Sequence, residues 1–103
     1  MRENQILQPA VWATIEFLSQ GEGGRATPTP PDKLHCPMEL DGVLHDCIIM
    51  LKEVGSVSPG QKIRAPVLFL NWKDVRSKLF VGRKFKLLDF RVIAIGTIDE
   101  FSP

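Results

Sequence analysis

The chain has 103 residues, 44% hydrophobic and 24% charged, with 13 basic against 12 acidic side chains, a profile expected of one soluble globular domain rather than a disordered segment. A domain of this size removes only about 60–65% of its extended-chain surface from water, which allows one modest core and excludes a large two-domain enzyme with a deep cleft between lobes. The formal charge of +1 supplies no chain-wide attraction to nucleic acid or to an anionic membrane, so only local patches need be considered.

The longest apolar runs, at 67–70 and 92–95, fall far short of the roughly 18–20 residues that a membrane-spanning helix requires, so no transmembrane segment and no membrane partner are expected. Residues 1–9 read as an N-terminal extension. Arg2 precedes polar residues and a broken apolar stretch, without the continuous apolar core of a secretory signal, so the expected location is cytoplasmic. Cys36 and Cys47 are too few for a disulfide framework and are expected to be free thiols in that compartment.

Taken in chain order, Val11, Ala13, Ile15 and Phe17 alternate with Trp12, Thr14, Glu16 and Leu18, and this period of two predicts a strand over 11–19. The segment GEGGRATPTPPD at 21–32 is dense in glycine and proline and reads as a loop, too poor in backbone donors to continue a helix or pair centrally in a sheet. Two strands, 34–40 and 43–53, flank Asp41-Gly42, the dipeptide best suited to a two-residue type I′ hairpin turn. Ser58-Pro59-Gly60-Gln61 reads as a turn, and a longer strand follows over 62–71, in which Pro66 must sit at an edge or bulge.

The polar stretch 72–78 reads as a turn or short helical crossing, and 80–88 with 91–99 as a last hairpin around Asp89-Phe90. A helix over 78–98 is disfavoured because Val81, Val92, Ile93, Ile95, Thr97 and Ile98 prefer a pleated surface. About six short antiparallel strands with Gly/Pro turns predict an all-β small barrel or sandwich, and closure would remove exposed edges from so small a sheet.

A two-residue turn at Asp41-Gly42 places Cys36 opposite Cys47 and Met38 opposite His45, all projecting from one side of the hairpin as a candidate soft-metal or redox patch. The spacing C-x8-H-x-C fits no zinc-ribbon or knuckle pattern and lacks a fourth ligand, so Cys36, His45 and Cys47 are weak metal candidates and two buried thiols are the expected state. No cofactor is expected. Catalysis has little support either: no serine sits in a GxSxG elbow, and His35 and His45 point to opposite faces, so the chain is expected not to be an enzyme.

Arg25 on the glycine-rich loop is a candidate phosphate contact, or else ties the loop to a carboxylate such as Glu22 or Asp32. The basic residues between 73 and 91, among them Lys84, Lys86 and Arg91, would form an RNA-binding face if gathered on one side, with Trp72 or Phe90 stacking a base, or else a solvated outer face. Trp12, Leu70, Trp72, Phe90 and Phe101 are more large apolar residues than so small a core accommodates, which makes the first four the candidate partner surface.

Three segments in order, WATIEFLSQGEGGRATP (12–28), GSVSPGQ (55–61) and FKLLDFRVIAIGTI (85–98), together resemble the C-terminal β-barrel, domain three, of elongation factor Tu. Gly23, Gly24, Arg25, Thr27 and Pro28 match its glycine-arginine segment, Cys36-Pro37 its proline after the loop, Pro59-Gly60 its turn, and Arg91 followed by Gly96 its last strand. The resemblance implies a six-stranded antiparallel closed barrel. It also implies a non-catalytic module, which in that family helps hold the T-stem of aminoacyl-tRNA and docks against a GTPase domain.

The departures are equally specific. No GxxxxGK[ST] loop occurs in the sequence, so nothing is present to hold a nucleotide triphosphate. The family's acidic-Gly-Gly turn becomes Asp89-Phe90, one residue shorter, with a ring where a phosphate would approach the backbone, and Met38 and Ala94 replace a glutamine and a glycine. Two functions are therefore expected as alternatives. One is a non-catalytic interaction domain acting through a protein partner or a homodimer, and the other is an RNA module using Arg25, Lys84, Lys86 and Arg91.

Overall fold

The computed structural model describes residues 9–102, so the N-terminal extension expected over 1–9 lies, but for Pro9, outside the described residues. Six strands form the wall: β1 (Val11–Phe17), β2 (Lys33–Leu40), β3 (Val43–Met50), β4 (Lys62–Phe69), β5 (Lys84–Asp89) and β6 (Arg91–Phe101). They close into an antiparallel barrel in the order β1-β4-β3-β2-β5-β6, the all-β architecture that the alternation predicted. The helix α1 (Trp72–Val75) and a 3-10 turn over Arg76–Lys78 carry the chain from β4 to β5.

Strand alternation decides what fills the barrel. Val11, Ala13, Ile15 and Phe17 of β1 point inward, as do Leu34, Cys36, Met38 and Leu40 of β2, and all are buried. Each large aliphatic side chain taken from water here contributes about 1.5–3 kcal/mol. Gly96 of β6 lies between Ile15 and Phe85 in the register, and a Cβ there would stand 2.2 Å from Cζ of the buried Phe85 ring. The ring occupies the space that a side chain at 96 would need.

The Asp41-Gly42 turn has the two positive φ angles its sequence demands, 54° and 80°. The Glu39 carboxylate accepts the Gly42 N–H at 2.6 Å, and Arg83 pairs with Asp41 at 2.9 Å, tying the hairpin tip to the start of β5. The register then pairs Cys36 with Cys47 and Met38 with His45, as the turn implied. The Ser58–Gln61 turn also forms, closed by a bond from the Gln61 N–H to the Ser58 carbonyl at 3.1 Å.

Several strand ends differ from the sequence expectation. Residues 80–83 are a turn rather than the start of β5, because Gly82 takes φ 91° and its N–H bonds to Ile98. β3 stops at Met50, where the Val54 and Gly55 N–H groups both bond back to the Leu51 carbonyl. β4 stops at Phe69, and β6 extends to Phe101.

The wall is unevenly sealed. β2 pairs with β3 along its whole length, from Lys33↔Met50 to Leu40↔Val43, but with β5 only at Met38↔Leu87 and Glu39↔Lys86. Pro37 is the next β2 residue facing β5, and it has no N–H to give. The β2–β5 ladder ends there, and a slot in the barrel wall lies beside its end.

Candidate functional site

The glycine-rich loop is braced by the two arginines expected to meet phosphate. Arg91 donates to the carbonyls of Gly23 at 2.6 Å and Gly24 at 3.1 Å. Arg25 donates to the carbonyls of Thr27 and Pro28 at 3.3 and 3.4 Å, and its carboxylate neighbour is Asp89 at 3.8 Å rather than Glu22 or Asp32. Gly24 is required because a Cβ would lie 2.1 Å from the Leu18 carbonyl oxygen. Glu22 accepts from the Ser19 N–H and hydroxyl, the backbone bond being the main cause that holds its carboxyl below the ordinary value.

Lys84 and Lys86 lie elsewhere, in an outer groove of about 510 Å³ across β2, β5, β6 and β1. One cross-strand row there reads Glu39, Lys86, Ile95, Glu16, Lys62, alternating in sign about an apolar centre. Lys84 donates to Thr97 at 3.0 Å. The four residues of the RNA expectation therefore fall into two separate pairs, one committed to loop carbonyls and one interleaved with carboxylates. Alternation in sequence showed that Lys84 and Lys86 share a face, but not that Glu16 and Glu39 would flank them on neighbouring strands.

Cys36, Met38, His45 and Cys47 do share one face, and that face is the barrel interior. The Cys47 thiol donates to the Cys36 carbonyl at 3.2 Å, and the contact with Cys36 together with burial pushes its pKa well above the ordinary thiol value. His45 sits at one end of the barrel, its Nε2 3.1 Å from the Lys78 ammonium. Burial is the main cause lowering the His45 pKa, reinforced by Lys78 and opposed by Asp74. Among the described residues no three His, Cys, Asp or Glu side chains gather around one point.

The four apolar residues of the partner expectation lie at three places along the chain: on β1, just after β4, and at the β5–β6 turn. Trp12 is on the outer wall of β1, opposite Pro66, with the Arg64 guanidinium 4.8 Å above its ring. That arginine also pairs with Asp99 and Glu100 of β6, so Trp12 is half-buried in a fixed polar cover. Leu70 and Trp72 follow β4, where the Trp72 ring lies 6.2 Å from that of Phe69.

Phe90 stands apart. It forms the β5–β6 turn with φ 65°, a left-handed backbone that costs a non-glycine residue about 1–2 kcal/mol, and its side chain is fully exposed. It borders the β2/β5 slot, which holds about 510 Å³. Leu34, Cys36 and Ile93 form the floor, and Pro37, Leu44, Leu88 and Phe90 form an apolar rim, with Arg25, His35 and Asp89 beside them. Of these rim residues only Phe90 was expected at a partner surface. The signal for the others was Pro37: a proline inside a predicted strand marks the point where one ladder must end.

A scan of protein-family models and a search of curated proteins return no match for this chain.

Proposed function

We propose that this chain is a non-catalytic protein-binding barrel of the kind that elongation factor Tu carries as its third domain, and that it engages its partner at the β2/β5 slot. The observation that carries this reading is Phe90, an aromatic side chain projected wholly into solvent from a left-handed turn beside an apolar opening in the wall. Folding alone gives no reason to keep a large ring there, whereas burying such a ring against a partner is a common source of binding energy. Leu44, 54% exposed, extends the same apolar rim. The six-stranded antiparallel closure and the braced Gly23-Gly24-Arg25 loop support the likeness to the elongation-factor domain.

The alternative, an RNA module, draws on Lys62, Arg83, Lys84 and Lys86 in the outer groove, but Glu16, Glu39 and Asp41 offset three of those four charges. Phosphate binding would therefore be weak and steeply salt-dependent. The deciding experiment presents the purified chain and its Phe90→Ser variant to a lysate, identifies what each retains, and measures tRNA retention at low and moderate salt. Proteins held by the wild type and lost with Phe90→Ser support the reading. Identical retention by both chains, or tRNA held at low salt and released at moderate salt, overturns it.

A further inference from the structure

Resting on the protein-binding reading, the geometry points to the class of partner: we infer that the slot takes an extended, uncharged peptide segment that adds to β2 as an extra strand. Backbone directions in β2 are fixed by its neighbours. The Leu51 N–H bonds to Asp32 at 2.8 Å, and the Leu70 N–H bonds to Asp46 at 3.1 Å, so Asp46 faces β4 while Cys47 and His45 face β2. In the β2–β3 register, Leu34, Cys36, Met38 and Leu40 therefore turn their backbone groups to β3, and His35, Pro37 and Glu39 turn theirs toward β5.

Glu39 meets Lys86, but no β5 residue is paired with His35 or Pro37. The Met38↔Leu87 pair, with Met38 turned to β3, is closed by the Leu88 N–H on the Pro37 carbonyl. The open edge at the slot is therefore the N–H and C=O of His35, continued by those of Lys33, and an extended chain is the one conformation that matches such a row. Successive side chains of an added strand point to opposite sides. One set would meet the buried floor of Leu34, Cys36 and Ile93, which selects aliphatic residues at alternate positions, and the other would lie toward solvent beside the exposed Leu44 and Phe90. The charges at the mouth, Arg25 and Asp89, offset one another, so the site has no excess charge with which to recruit a polyanion.

The probe is the uncharged peptide acetyl-Ser-Thr-Val-Thr-Val-Thr-Ser-amide, titrated to millimolar concentration into the full ¹⁵N-labelled chain. Saturable shifts at His35, Leu44, Leu88 and Phe90 are expected, with slower exchange of the His35 amide. N-methylation of alternate peptide amides should weaken binding about tenfold, the equivalent of one or two backbone hydrogen bonds. Pro37→Ala supplies the missing donor toward β5; it should show a protected amide at position 37 without peptide and bind about tenfold more weakly.

No saturable shift, shifts centred on Lys84 and Lys86, or equal binding of the N-methylated peptide would each overturn strand addition. Phe90-dependent protein capture that persists beside such a result would leave the protein-binding reading standing and remove only the extended-peptide occupant.

Discussion

β1 and β2 hold equivalent places in the barrel, each between two antiparallel neighbours, yet one is sealed on both sides and the other is not. β1 pairs with β4 from Val11↔Val67 to Glu16↔Lys62 and with β6 from Val11↔Phe101 to Phe17↔Ala94. β2 is continuous with β3 and holds β5 at two positions. The difference lies in where proline nitrogens face. Pro66 sits opposite Trp12 without disturbing β1, because Phe17 bonds to Gln61 at 2.9 Å and sets the odd residues of β4 toward β1. The Pro66 nitrogen faces β3 instead, and the β3–β4 ladder accordingly ends one residue away, at Ile49↔Val67. Pro37 does the same to β2 and β5. A proline in a closed sheet leaves the ladder behind it intact and ends the ladder in front of it.

Truncating matched aliphatics on the sealed and the open side tests the difference between β1 and β2 directly. Ile15→Ala, inside the sealed wall with no exposure, should cost about 2–5 kcal/mol. Leu88→Ala on the slot rim should cost less than about 1 kcal/mol, because a half-exposed side chain leaves no closed cavity. Urea midpoints of the two variants measure both values, and equal losses would mean the slot is as tightly packed as the core.

Next in size is Gly96→Ala, which forces a methyl group against the buried Phe85 ring and should destabilise by about 1–3 kcal/mol. The double variant Gly96→Ala/Phe85→Leu should lose less than the sum of its single changes, a coupling that a thermal-unfolding cycle reads directly.

A smaller effect comes from the barrel end. The His45 pKa is lowered in the folded state from its ordinary 6.5, so the unfolded chain binds the proton first as pH falls. The neutral ring's contribution is complete above about pH 6.5 and is lost as pH drops through the depressed folded value. Urea midpoints should fall between pH 7.5 and pH 5, and His45→Gln should flatten that part of the slope; an unchanged slope would show that other groups cause it.

The smallest change expected is a gain. Phe90→Gly relieves a left-handed residue at the cost of added freedom in the unfolded chain, for a net stabilisation of about 0.5 kcal/mol. A rise in thermal midpoint together with lost partner capture would separate the role of Phe90 in binding from any role in folding.

Much of the fold was legible because its signals are local. Alternation at Val11, Ala13, Ile15 and Phe17 marked the inward face of β1, and Asp41-Gly42 specified a turn and with it the entire β2–β3 register. The site was less legible. Arg25 and Arg91 are far apart in the chain and meet only where both brace the same loop, and Lys84 and Lys86 acquire carboxylate neighbours from strands distant in sequence. The proline rule applied to Pro66 held equally for Pro37, but the sequence does not say which strand Pro37 would face.

Six strands, one tight hairpin register and a set of inward side chains follow from residue order alone, since each rests on periods and turns spanning a few residues. Only the closed barrel decided which strands became neighbours. That in turn decided which arginines were consumed by loop carbonyls, which lysines were offset by carboxylates, and where a missing proline N–H left the wall open. Pairing partners are set by how the whole sheet closes over its core, and that closure is a property of no single segment.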